Sequence, residues 1–325
     1  MVWKIVTKDI DPNDQIIKGL FDEAVAAAPP NYVKTMGNGE VEMEDTVALL
    51  PRNPIKGKCR LCGQEADLTK EHIPPKSSGN KQRHTKLTFD DWLKDHLEAN
   101  SNSKHTVEQG GIFGYTLCRK CNSLTGNLYG TEYKLWVERA RKLIDIETIT
   151  KLDKMIGPFG DSLNFGSKED GGVKPGAFVR QVLSCMCSLS GSWDLAEKYP
   201  VLRRIILEQS TEKLPAGLEI GMTIYFGPNV RIHGPQLRVD KKTGIWRWCQ
   251  EIAFPPFAFM MVIASNSKKP GEGLLINNMT QASPDEMQNF TGIVEMGFGW
   301  APYPGDYRSK ARIIADRSIR DKISM

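Results

Sequence analysis

The chain has 325 residues, a formal net charge of +4, about 40% hydrophobic and 25% charged side chains. This is the composition of an ordinary globular protein long enough for two domains, and it excludes collagen-like, low-complexity and internally repeated architectures. The longest apolar run, Ile252 to Ala264, is short and broken by prolines, so it cannot span a bilayer. The opening residues carry charges throughout and lack the apolar core of a secretory signal; a soluble cytoplasmic protein without a membrane partner is expected.

In residues 1–50, Ile16, Ile17, Leu20, Phe21, Ala24 and Val25 recur at helical spacing. They predict an amphipathic packing helix over Asp14–Ala28, stopped by Pro29-Pro30. Residues 51–150 carry two Cys-x-x-Cys pairs. Between the pairs, Lys86–Asn100 reads as a short helix and the residues after it as a loop. After them, Tyr129, Tyr133, Trp136, Ala140 and Leu143 share one helical face. This stripe reads as core packing in preference to a base-stacking platform.

Residues 155–325 read as a further domain. Gly157–Gly176 is rich in glycine and polar residues and reads as a linker or long loop. Helices are expected at Ala177–Ser188 and Trp193–Glu208. Strands follow at Leu218–Phe226, Val230–Val239, Gly244–Phe254, Phe257–Ala264 and Gly273–Asn277, with a hairpin turn at Lys241–Gly244. The class is α+β with an antiparallel sheet. No catalytic constellation stands out in this part, and His233 on its strand reads as structural. The basic tail Tyr307–Lys322 fits either phosphate contacts or a solvated terminal helix.

The cysteines hold the strongest chemical signal. Cys59, Cys62, Cys118 and Cys121 form two Cys-x-x-Cys pairs separated by 55 residues. Two intervening residues let a tight turn bring both thiolates onto one ion, and two such turns complete a tetrahedral Zn²⁺ site. A thioredoxin-like redox pair is the competing reading, but it requires a strand-to-helix junction in a βαβ unit. Cys185, Cys187 and Cys249 lie in apolar contexts and read as inert core residues.

Glu71, His72 and Asn122 stand beside these pairs. If residues 67–73 form a hairpin strand, His72 can face a helix beginning near Asn122. A carboxylate and an amide oxygen then flank one pocket with an imidazole beside them. That set suits phosphodiester hydrolysis: oxygen ligands for Mg²⁺ or Mn²⁺, and a neutral imidazole to take a proton from water. Between residues 56 and 142 there are 16 basic and 10 acidic side chains, a local positive field suited to a nucleic-acid partner.

"CRLC" (59–62), "EHIPP" (71–75) and "CRKCN" (118–122), in that order, resemble the zinc-stapled branch of the HNH (ββα-metal) endonucleases, including the phage Holliday-junction resolvase type. The resemblance covers residues 56–143. It implies a ββα-metal zinc module followed by a mixed α+β domain, and metal-dependent endonuclease activity on DNA. It implies His72 as general base, Glu71 and Asn122 as ligands of Mg²⁺ or Mn²⁺, and a structural zinc on the four cysteines. The chain departs from the pattern in three places. Glu71 stands where Asp is commoner, 45 residues separate His72 from Cys118, and no central Asn precedes the second pair. Asn127, Gln109 or a backbone carbonyl are the candidates to orient His72 in its stead. The alternative is a non-catalytic zinc module that binds nucleic acid or a protein.

Overall fold

The computed structural model describes residues 3–5, 15–30, 32–35, 41–43, 50–86, 106–143, 161–166, 171–225, 230–240, 242–267 and 274–294. The basic tail falls outside these residues, as does the helix expected at Lys86–Asn100, apart from Lys86 itself.

The chain begins with β1 (Trp3–Ile5), α1 (Gln15–Ala26), β2 (Val33–Thr35) and β3 (Val41–Met43). The three strands make a small antiparallel sheet with β3 in the middle. Helix α1 buries Phe21 and Ala24, the inward face that its spacing predicts.

Next come β4 (Lys56–Lys58), β5 (Glu65–His72), β6 (His84–Lys86), β7 (Thr106–Glu108) and β8 (Phe113–Cys118). Strand β5 lies between β4 and β8, antiparallel to both. Helix α2 (Arg119–Leu143) follows β8 without a loop. It begins three residues before the expected start near Asn122. Tyr129, Tyr133, Trp136 and Ala140 are buried on one face, as the sequence implies.

The C-terminal half contains β9 (Asp161–Gly166), α3 (Pro175–Leu189), α4 (Leu195–Lys198) and α5 (Val201–Leu207). The strands that follow are β10 (Glu219–Ile224), β11 (Arg231–Asp240), β12 (Ile245–Phe254), β13 (Phe257–Ser265), β14 (Leu274–Leu275) and β15 (Phe290–Val294). Five of them form an antiparallel sheet in the order β11-β12-β13-β10-β14. The architecture of the described residues is therefore mixed α+β with antiparallel sheets.

Two expectations change. The helix expected at Trp193–Glu208 is broken into α4 and α5. Tyr199, which precedes Pro200, sits at φ −124°, ψ 80°, since a residue before proline is pushed out of the helical region. The expected linker contains β9, which pairs antiparallel with β15. On β11, an edge strand, the ladder shifts register between His233 and Gln236, where Pro235 has no N–H to donate.

Helix α3 is buried on all sides, and Pro175 occupies its first turn, where no N–H is needed. Phe178 on α3 stacks on Trp136 of α2, with ring centroids 4.1 Å apart, and meets Phe257 and Phe259 of β13. Tyr32, Trp193 and Trp248 form a second aromatic group, with Trp248 Nε1 donating to the Ala24 carbonyl at 2.8 Å. One continuous buried cluster takes in Phe21, Leu61, Leu117, Trp136, Phe178 and Trp248. Residues on both sides of the expected boundary at 150–155 share it.

Candidate functional site

The first cysteine pair lies in a tight turn between β4 and β5. Gly63 N donates to the Cys59 carbonyl at 2.8 Å, and Gly63 adopts φ +78°, open to glycine at little cost. The second pair straddles the junction of β8 and α2, with Cys118 ending the strand and Cys121 in the first helical turn. Because β5 and β8 are adjacent, the two turns meet at one corner.

All four sulfurs lie within 4.8 Å of one another, and Cys62 and Cys118 are 3.9 Å apart. Sulfurs at the corners of a tetrahedron with Zn–S bonds of about 2.3 Å are about 3.8 Å apart, so the donor set and its spacing fit zinc. No other such cluster of His, Cys, Asp or Glu occurs among the described residues. A hydrogen bond from the Cys121 thiol, helped by backbone N–H groups that include Cys118, draws Cys59 down to about 4. Cys121, as the donor, is pushed well up, and burial raises Cys62. The protein alone thus stabilises one thiolate; four in this space require a cation. The strand-to-helix placement of the second pair meets one requirement of a redox site, but the sheet is antiparallel and the sulfurs converge as a foursome.

Beside this corner lies an open cavity of about 350 Å³ between β5, the loop after His72, and α2. Glu71, His72 and Asn122 all line it. Lys70, Lys76 and Lys134 also line it, and Glu71 is the sole acid among its described lining residues. Lys81 and Arg83 are exposed and away from it.

Each of the three side chains has defined partners. The carboxylate of Glu71, 5% exposed, accepts hydrogen bonds from Ser188 Oγ at 2.6 Å and Thr116 Oγ1 at 3.1 Å. Burial raises its pKa to about 7. Asn122 spends its amide nitrogen on β5, donating to Thr69 Oγ1 at 2.9 Å and the Lys70 carbonyl at 3.0 Å. Its Oδ1 accepts no hydrogen bond from the described residues.

His72 Nε2 is 3.0 Å from the Gly110 carbonyl. A carbonyl only accepts, so Nε2 carries the proton and Nδ1 keeps the lone pair. Burial lowers the His72 pKa against the opposing hydrogen bond to Gly110, and Lys70, Lys76 and Arg52 push it the same way as burial. Phe113 packs against the ring, with Arg52 and Lys70 over its own face at 3.6 and 3.7 Å.

A backbone carbonyl therefore meets His72, one of the three candidates named from sequence. Asn80 is a residue that sequence reasoning missed. It is 2% exposed, and Nδ2 donates to the Pro74 and Ile112 carbonyls, both at 2.8 Å. Its Oδ1 accepts from Ile112 N at 2.7 Å. Asn80 thus ties the segment after His72 to the segment entering β8. Gly111 fits beneath it only because it lacks a side chain: a Cβ there would come within 2.4 Å of the Asn80 carbonyl oxygen. Thr116, Ser188 and Gln181 were also missed; the last two come from α3, far along the chain, and carry no local signal.

None of the described helices is long and apolar enough to cross a membrane. No family model, no curated protein and no solved structure matches the chain, so the reading of this corner rests on its own chemistry.

Proposed function

We propose that the protein is a metal-dependent endonuclease that hydrolyses phosphodiester bonds in DNA. The observation that carries this reading is that Glu71, His72 and Asn122 line one lysine-edged cavity beside the four-cysteine corner. The cysteines would hold a structural zinc, which fixes the ends of β5, β8 and α2. Glu71 and Asn122 would hold Mg²⁺ or Mn²⁺; two protein oxygens, with water and phosphate filling the remaining positions, suit these ions. When bound, such a cation polarises the phosphate and stabilises the leaving oxygen. His72 Nδ1 takes the proton from the attacking water, with its ring held by the Gly110 carbonyl. Lys70 and Lys76 bind the phosphate.

The test is nicking of supercoiled plasmid in Mg²⁺ or Mn²⁺. We expect cleavage by the wild type and a loss of about 100-fold or more in His72→Ala, with zinc content and duplex binding retained. Undiminished cleavage by His72→Ala overturns the role of His72.

A second reading, a non-catalytic zinc module that binds nucleic acid or a protein, is favoured by one observation. Glu71 is deeply buried and already held by two hydroxyls of its own chain. Salt-sensitive duplex binding by the wild type, with no cleavage in either metal, selects this reading.

A further inference from the structure

Strands β5 and β8 change register between Thr69 and Lys70. Thr69 pairs with Leu117, but Lys70 pairs with Tyr115 and His72 with Phe113, so β8 carries Thr116 as an extra residue. A ladder continued without this bulge would set Thr116 opposite Lys70 and Gly114 opposite His72. A shift of one residue exchanges the two faces of a strand, and bulges re-aim side chains. Here the bulge puts Phe113 and Tyr115 on the face of Lys70 and His72, while Glu71 and Thr116 meet on the other.

The Phe113 ring carries two cations that differ in kind. The Arg52 guanidinium carbon lies 3.6 Å from the ring centroid and the Lys70 Nζ 3.7 Å. Arg52 is committed within the chain: Nη1 donates to the Phe113 carbonyl at 2.9 Å, and Nη2 pairs with Glu108 at 3.0 Å. Lys70 is exposed, it lines the cavity beside His72, and no carboxylate pairs with it among the described residues. Its backbone is fixed, because its carbonyl accepts from Asn122 Nδ2 at 3.0 Å. Phe113 does not itself line the cavity. An unrestrained lysine samples many rotamers. A carboxylate would hold the ammonium but cancel its charge. The negative face of a ring holds it and leaves the charge available to a third group.

We propose that Phe113 is a positioning residue: its ring aims the Lys70 ammonium into the cavity, where Nζ donates to a non-bridging oxygen of the phosphodiester under attack. Phe113 touches no substrate and acts through Lys70. The inference rests on the nuclease reading and adds the residue that aims its phosphate contact. An aimed cation counts most where negative charge develops, so the ring is felt in kcat more than in KM.

The test uses the full chain, with metal content and Tm recorded for every variant. Protons above a ring face are shielded. In 13C-lysine-labelled protein, one lysine ε-methylene signal should therefore lie upfield of the rest. It should vanish in Lys70→Met and move back among the other lysines in Phe113→Leu. In steady-state nicking of supercoiled plasmid with Mg²⁺, Phe113→Leu should lower kcat about tenfold and change KM by less than about twofold. Phe113→Met, a second ringless variant, should match it, whereas Phe113→Tyr and Phe113→Trp should retain kcat, since both keep a ring face. Lys70→Met should lower kcat at least as far, and Phe113→Leu added to it should change kcat by less than about twofold. The positioning role is overturned if the wild type shows no shielded lysine signal, if the ringless variants keep wild-type kcat, or if the losses from Lys70→Met and Phe113→Leu multiply. Where the wild type still nicks plasmid and His72→Ala does not, the nuclease reading then survives alone. If the wild type does not nick plasmid, the nuclease reading falls and the positioning role falls with it, even with the shielded signal present.

Discussion

Asn80 lies eight positions beyond His72, in a stretch whose glycine, serine and lysine residues read as plain loop. Its three hydrogen bonds join two segments that the backbone also links, through Ile73 N to the Ile112 carbonyl and Gly111 N to the Gln82 carbonyl. Asn80→Ala leaves the part-buried Ile112 N–H without its acceptor and frees the Pro74 and Ile112 carbonyls, and we expect a loss of about 2 kcal/mol in urea unfolding. Asn80→Asp keeps that acceptor but sets a carboxylate against the Pro74 and Ile112 carbonyls, so it should be no better than Ala. If the proposed nuclease activity holds, both variants should lower the rate of plasmid nicking more than duplex affinity, because they loosen the segment whose Gly110 carbonyl meets the His72 ring. The motif residues were legible from sequence, since Glu71, His72 and Asn122 do meet at one cavity. Their partners were not. A hydroxyl such as Ser188 Oγ becomes a neighbour of Glu71 across 117 residues, and nothing in its local sequence marks it.

Periodicity located the helices and the five strands of the large sheet, β10–β14, but not the short strands β1–β4, β6–β9 and β15. Strand β9 is short and exists because β15 pairs with it from far along the chain. Helix α2 starts within one turn of its expected place near Asn122. His233 was read as a structural residue of its strand, and the β11–β12 pair shows the company it keeps. Glu251 accepts from Arg231 at 2.7 Å and faces His233 Nε2 at 3.1 Å, with no exposed surface of its own. Burial alone would raise the Glu251 pKa, but the hydrogen bond and charge of His233, with the charge of Arg231, hold it below the usual 4.5. A carboxyl depressed on folding adds stability that is fully present above its unfolded pKa and is lost as pH falls through the folded value. Thermal melts should therefore show a decline in Tm below about pH 4.5 that is smaller in Glu251→Gln. At neutral pH the same variant sets a neutral amide against the buried Arg231 guanidinium and should cost about 3 kcal/mol.

The four cysteines couple their corner to the rest of the molecule. Cys59, Leu61, Cys118 and Cys121 belong to the same buried cluster as Trp136, Phe178 and Trp248. Metal analysis of the purified chain should give one zinc ion per molecule. Cys118→Ser should abolish it and lower Tm by about 5 °C or more. Unchanged zinc content in that variant would overturn the four-sulfur site. Composition could not reveal this coupling: a charge-rich segment with paired cysteines reads as a self-contained module, and only the packed structure shows how much of its apolar surface is covered from the other half. Arg60 Nη1 donates to the Ser188 carbonyl at 2.5 Å and Arg203 Nε to the Leu61 carbonyl at 3.0 Å, so the backbone is cross-linked in both directions.

The stacking of Phe178 on Trp136 bears on how the chain can be cut. A recombinant fragment ending at residue 150 would keep every motif residue and still be stripped of the ring that covers the buried indole of Trp136. Its greasy helix face would meet water, and clumping on expression is the natural result. Grafting the cysteine corner and its cavity onto another scaffold would need α3 to travel with it.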